Sequence, residues 1–481
     1  MPNTTTEFEP GRPVVLRGGV VLPMTAGREV LDRADVLVTG DTITAVGPDL
    51  EVPGGTAEID ASGGIVMPGM IDTHRHMWQT AMRGYGADWT LTQYFVWYYL
   101  EHGRLFRPED IYAGNLLAAL EAIDAGVTTV VDWSHGLQTL DHAEAAVDAL
   151  RSVPGRFVLA YGNIQAPPAE WTATPEFRSF AGKLIGGDML GFQIAFDVLG
   201  DPSFPEKPAF EVARDLGVPV TTHAGVWGAT SDEGIKQMYD HGFMTPGTVY
   251  VHAASLSTDS YHRIAATGGS ISVSTESEQS AGQGYPPTWV LREHDIPVSL
   301  SMDTSVWWSG DLFSAMRATL GADRCRVHLE AHNRGETVTH CSLRADQVVD
   351  WATRGGARAI GRDDLGSLEP GKKADVVLIK NDDSPVSFPV LHPYGHVVFQ
   401  AQRGDVHTVL VNGRVVKHDH RLVGVDLAAA RRKVEATVEY LRSSMGEEAW
   451  TAGMNPEIPE TKILDNPYTY TDFRSDATRS R

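Results

Sequence analysis

The chain has 481 residues, 42% hydrophobic and 21% charged, with a formal net charge of −22. A chain this long buries a sizeable core without disulfide staples, and its two cysteines, Cys325 and Cys341, form no metal-ligand spacing. The negative charge, with no basic run to offset it, excludes nucleic acid and anionic membrane as partners. The polar start MPNTTTEFEPGRP and the lack of any run of about 18 apolar residues give the expectation of a cytoplasmic protein.

In chain order, residues 12–66 read as short strands: "PVVLRGGVVL", "ADVLVTGDTITAVG" and "GGIVMPG" are rich in Val, Ile and Thr with Gly between them. Residues 366–424 have the same texture, and "VNGR" offers Asn412-Gly413 as a hairpin turn. Between these ends, apolar runs of strand length alternate with helical stretches. "PEDIYAGNLLAALEAIDAG" predicts a helix opened at Pro108 and stopped at Gly126. With "GIVMPGMIDTHRH" the strand-like runs number eight, the others being "VTTVVDWSH", "RFVLAYGN", "GFQIAFDV", "PVTTHAG", "TVYVHAAS", "SISVSTES" and "PVSLSMDT". Eight β/α units predict an α/β fold of the TIM-type (β/α)8 barrel class, with a doubly wound sheet as its rival. The expected domains are a composite β-sandwich from 1–66 and 366–425, a metal-dependent catalytic barrel over 67–365, and a helix and frayed tail over 426–481.

Most barrel strands end in a polar or ionisable residue: His74 and His76, Asp132 and His135, Asp197, His223, His252, Glu276 and Asp303. Barrel active sites collect at that end. Side chains two apart on a strand share a face, so His74 and His76 can chelate one ion. His223, His252 and Asp303 at other strand ends complete a nitrogen and oxygen donor set of the kind divalent ions take.

"PGMIDTHRHMWQTAMRG", "AGVTTVVDW" and the return "GSLEPGKKADVVLI" resemble the amidohydrolase superfamily over nearly the whole chain. The branch is that of cytosine, guanine and S-adenosylhomocysteine deaminases and triazine hydrolases. The resemblance implies one divalent metal, zinc before iron or manganese, on His74, His76, His223 and Asp303, with His252 at the attacking water or substrate. It also implies a homodimer or homotetramer. No lysine ends the fourth strand, so a carbamylated two-metal site is not expected. The deaminases carry H-x-x-E on the fifth strand; here "HAGVWG" puts Val226 at the glutamate's place. A substrate-binding histidine on the seventh strand is replaced near Val273, with Glu276 and Glu278 just beyond.

A bound divalent ion supplies hydroxide near neutral pH. Asp303 is the expected proton carrier, and His252 the expected support for the developing oxyanion. With the glutamate missing, the leading expectation is hydrolysis of a C–N bond in an amide, urea, carbamate or activated heterocycle. The first rival is an aminohydrolase of an N-heterocycle with a relocated proton shuttle, for which Glu276 or Glu278 is the candidate, Glu276 being taken as the catalytic residue. A metal-dependent lyase or cyclase is a second rival, and a metal-binding protein without turnover a third. The substrate is a small, aromatic or heterocyclic molecule, with Gln79, Trp78, Trp227 and Trp307 as its expected contacts.

Overall fold

The computed structural model describes residues 8–9, 11–226 and 229–458. Eight parallel strands follow one another around a barrel in chain order. They are Met70–Arg75, Val127–Ser134, Arg156–Tyr161, Leu190–Ala195, Val220–Ala224, Val249–His252, Ser270–Val273 and Val298–Leu300. The first and last meet only at the C-terminal mouth, through an Arg75–Asp303 bridge. There the His76 amide donates to the Asp303 carbonyl at 2.8 Å, and the Asp303 amide to the His74 carbonyl at 3.2 Å. Three of the four residues expected to hold a metal, His74, His76 and Asp303, thus themselves form the seam of the barrel.

Helices alternate with these strands outside the barrel. The one expected from Pro108 runs Pro108–Asp124, and Gly126 behind it takes the left-handed φ of 77°. Gly114 within it is required by proximity: a Cβ there would lie 2.0 Å from the Trp78 carbonyl oxygen. The helix therefore packs directly on the turn that follows the first strand.

The two chain ends join in one nine-stranded sheet. Ile65–Pro68 pairs in parallel with Val14–Val21 on one side and antiparallel with Val376–Ile379 on the other. Residues from both ends, such as Val36, Ile59, Leu378 and Leu410, share one core cluster. The hairpin turn falls at Asn412 and Gly413, with φ of 50° and 76°.

The amphipathic helix expected over 426–445 is Leu427–Met445. The expectation of a frayed tail from Gly446 is corrected for its first part. A short helix, Glu447–Ala452, docks Trp450 beside the Tyr85 ring at 4.8 Å between centroids. Tyr85 Oη donates to the Trp450 carbonyl at 2.6 Å and Trp89 Nε1 to the Gly453 carbonyl at 3.0 Å. A single buried indole and two carbonyl acceptors suffice to order this stretch; the terminal "RSDATRSR" lies outside the described residues. Among the described residues, no helix is long and apolar enough to cross a membrane.

Candidate metal centre and active site

The strand period and the barrel closure bring His74, His76, His223, His252 and Asp303 together. The ligand atoms of His74, His76 and His223 lie within 4.8 Å of one another, as do those of His74, His252 and Asp303. Asp303 Oδ1 stands 3.3 Å from His74 Nε2 and 3.4 Å from His76 Nε2. His252 and Asp303 hold left-handed backbone angles, φ of 69° and 66°, costly for residues with a Cβ and typical of functional positions.

Second contacts fix the rings. His76 Nδ1 faces the Trp133 carbonyl at 2.8 Å, so it carries the proton and Nε2 is free to ligate. His223 Nδ1 faces both oxygens of Asp197, at 3.1 and 3.2 Å, with the same result. Neither nitrogen of the fully buried His74 has a hydrogen-bond partner. Burial pushes His74 well below its ordinary pKa, and His76 down to about 4, so both imidazoles are neutral donors at pH 7. Burial alone would raise Asp303, but the His74 imidazole 3.3 Å away and the neighbouring histidines outweigh it and hold the carboxyl well below the usual range. Three imidazoles, one of them an orphaned buried ring, and one ionised carboxylate suit a divalent cation.

Asp197 is the orienting residue for His223, and its role has a direct test. Asp197→Asn is expected to weaken metal binding by about 10–100-fold, read by competition with a chelator of known affinity. Unchanged affinity would mean that the Asp197 contact does not set the ring.

The cavity beside the cluster is lined by His76, His223, His252 and Asp303, and by Tyr94, Phe95, Tyr99, Val226, Gln283 and Trp307. Trp307 is therefore where the sequence puts it. Trp78 and Gln79 are elsewhere. Both are fully buried behind the wall, because the turn Met77–Met82 is buried throughout. Trp78 Nε1 donates to His135 Nδ1 at 3.3 Å. Gln79 is spent on Tyr94 Oη at 2.7 Å and on the Thr304 hydroxyl at 2.9 Å. These two position the wall rather than line the cavity, so no described contact supports their expected role as substrate contacts. Trp227 lies outside the described residues.

The two glutamates after the seventh strand part company. Glu276 Oε2 accepts from Ser309 Oγ at 2.7 Å and does not line the cavity. Glu278 is fully buried, accepts from the Ser274 amide at 2.7 Å, and places Oε1 3.4 Å from His252 Nδ1. Burial pushes Glu278 upward, against the opposing pull of His252. The catalytic expectation for Glu276 thus finds no supporting contact at the cluster, whereas Glu278 reaches it through His252. Tyr94, Phe95 and Tyr99 were not singled out in the sequence. They come from the helix Leu91–Phe95, capped by Thr90 and Gln93, and the π-helical segment Val96–Glu101.

Comparison with known proteins agrees with this geometry. The chain is 29% identical over 445 residues to the 5-methylthioadenosine/S-adenosylhomocysteine deaminase of Desulfitobacterium hafniense, covering 88% of this chain and 97% of that protein. It is 26% identical over 457 residues to the 5'-deoxyadenosine deaminase of Methanosarcina mazei, covering 89% and 98%. In fold it is similar to the zinc-complexed atrazine chlorohydrolase of Arthrobacter aurescens TC1, with a TM-score of 0.74 at 23% identity over 89% of this chain and all of that one. The zinc-bound adenosine deaminase of Xanthomonas campestris gives a TM-score of 0.75 at 22% identity, over 89% and 98%. Residues 65–416 match the amidohydrolase family, and the chain belongs to that family, as a hydrolase of carbon–nitrogen bonds other than peptide bonds.

Proposed function

We propose that the protein is a mononuclear, zinc-dependent aminohydrolase that removes an exocyclic amine from a small N-heterocycle. His74, His76, His223 and Asp303 would hold the zinc. Such an ion, when bound, brings the pKa of water to about 7. The observation that carries this reading is the buried His252–Glu278 pair at 3.4 Å, beside the Asp303 carboxylate. The deaminases among the relatives support it.

Hydrolytic deamination adds water to a ring carbon and expels ammonia. It needs a base for the water, a proton for the ring nitrogen and a proton for the leaving amine. Asp303, held ionised, takes the water's proton and returns it to the departing nitrogen. Val226 has no proton to give the ring. His252 lines the cavity, and Glu278 behind it can hold and resupply the imidazole proton, so the pair takes that part. Tyr94, Phe95, Tyr99 and Trp307 supply aromatic walls to a planar substrate.

Ammonia release from a panel of aminopurine, aminopyrimidine and aminotriazine compounds tests the proposal, and a product without loss of ammonia overturns it. Glu278→Gln is expected to lower kcat by about 10²–10³-fold, with KM and zinc content nearly unchanged. Val226 in the cavity favours a second reading, hydrolysis of an amide or urea, for which Asp303 alone suffices. Under that reading, aryl amide or urea turnover survives Glu278→Gln intact. A cytoplasmic, homo-oligomeric enzyme remains our proposal for its setting.

A further inference from the structure

A second chamber, of about 360 Å³, opens beside the metal cluster at the ends of the second to fourth barrel strands. Phe95 and Tyr99 line both it and the inner cavity, so they form the partition between them. Its inner wall touches the ligands. The Trp133 ring is 4.2 Å from that of His223, and the His135 ring is 4.2 Å from that of His76. Glu206 also lines it, from the N-cap position of the helix Lys207–Leu216 in the fourth β/α loop, where its side chain makes no capping bond.

Glu206 is only 5% exposed; the backbone amides of Leu199 and Glu206 itself face its carboxyl, and among the described residues its Oε2 has no hydrogen-bond partner. A buried carboxylate oxygen left unpaired is costly, and a ligand donor would offset that cost. Asp197 also lines the chamber, but both its oxygens face His223. Among the described residues, no lysine or arginine lines it. Two carboxylates with aromatic rings around them and no internal cation select positive charge, since a cation gains from both the carboxylates and the ring faces.

We infer that this chamber is a substrate subsite for a protonated amine, which pairs with Glu206 while the reacting ring occupies the inner cavity. The inference rests on the proposed active site only for the identity of the ring end. A substrate spanning both spaces passes Phe95 and Tyr99, the latter on a π-helical segment of the kind that recurs at functional sites. The substrate class is then an amino-heterocycle with a flexible, cationic side arm.

Binding without turnover tests this. Zinc-loaded protein is titrated calorimetrically with 2-phenylethylamine and with its neutral counterpart 2-phenylethanol. The amine is expected to bind at least about tenfold more tightly, and Glu206→Gln to remove that advantage while leaving the alcohol's affinity and the zinc content unchanged. Ala166→Trp, which fills the chamber from its rim, is expected to block the amine in the same way and serves if Glu206→Gln does not fold. Equal affinity for the two probes, or an amine preference that survives both variants, overturns the inference. Because no chemistry is read, an amine preference without ammonia release would sink the proposed reaction and leave the subsite standing, and the reverse result would do the opposite.

Discussion

Replacing His74 and His76 together by alanine is expected to take the metal from about one per chain to near zero and to lower activity by at least about 10³-fold. The size follows from the arrangement. These two rings supply two of four proposed ligands, and His76 is also one of the residues that line the cavity. Neither loss can be made good by water alone, because the site is buried and its remaining donors, His223 and Asp303, are fixed by Asp197 and by the barrel seam. Elemental analysis after gel filtration measures the metal, and circular dichroism checks that the barrel is intact. Asp303→Asn is the sharper companion. It keeps the shape of the side chain and removes the base, so a fall of about 10²–10⁴-fold is expected even where metal is retained. A double alanine variant that still carries stoichiometric metal would show that the donors are wrongly assigned.

The largest stability effect is expected at Glu121, the partner of Arg75, which lies between the two histidines. Its Oε2 accepts from Arg75 and from the Ser305 hydroxyl, and its Oε1 from Arg83 and Arg403. The Arg75 side chain is 1% exposed and that of Glu121 4%. Glu121→Leu strands a guanidinium in the interior, at a cost of about 3–5 kcal/mol. The denaturation midpoint should fall with little change in slope, and Glu121→Gln should fall less because it keeps one acceptor. Burial alone would raise Glu121, but Arg75 and Arg83 outweigh it and hold its pKa down. A carboxyl depressed in the folded state stabilises above its unfolded pKa of about 4.3, and that contribution fades as pH drops through the lower folded value. Glu121→Leu should therefore flatten the acid limb of the stability profile. A variant as stable as the parent would mean that Arg75 finds another acceptor.

The barrel and its cluster were legible because a strand's period of two and the C-terminal ends of barrel strands are local, countable features. His74 and His76 share a face by spacing alone, and His223, His252 and Asp303 each close an apolar run. Spacing does not tell Glu276 and Glu278 apart, for a related reason. Read as a continuing strand, the two point the same way. In the protein they sit on the short helix Thr275–Ser280, where two residues turn through roughly 200°, so only one can face His252. Trp78 and Gln79 follow the metal motif directly, which suggests contact with the substrate. The 3-10 turn that carries them is buried on all sides, and its polar groups are spent inward. The docking of Trp450 depends on partners more than 350 residues away, which no local pattern announces.

The sheet built from both chain ends has a cost during synthesis. Ile65–Pro68 is buried on every residue in the finished protein, yet its antiparallel neighbour Val376–Ile379 is translated roughly 300 residues later. At about 5–20 residues per second, a nascent chain on the ribosome carries that open strand edge for roughly 15 to 60 seconds. Throughout that interval the edge is free to pair with another chain, so slower initiation or a holding chaperone should raise the soluble yield more than any change at the metal centre.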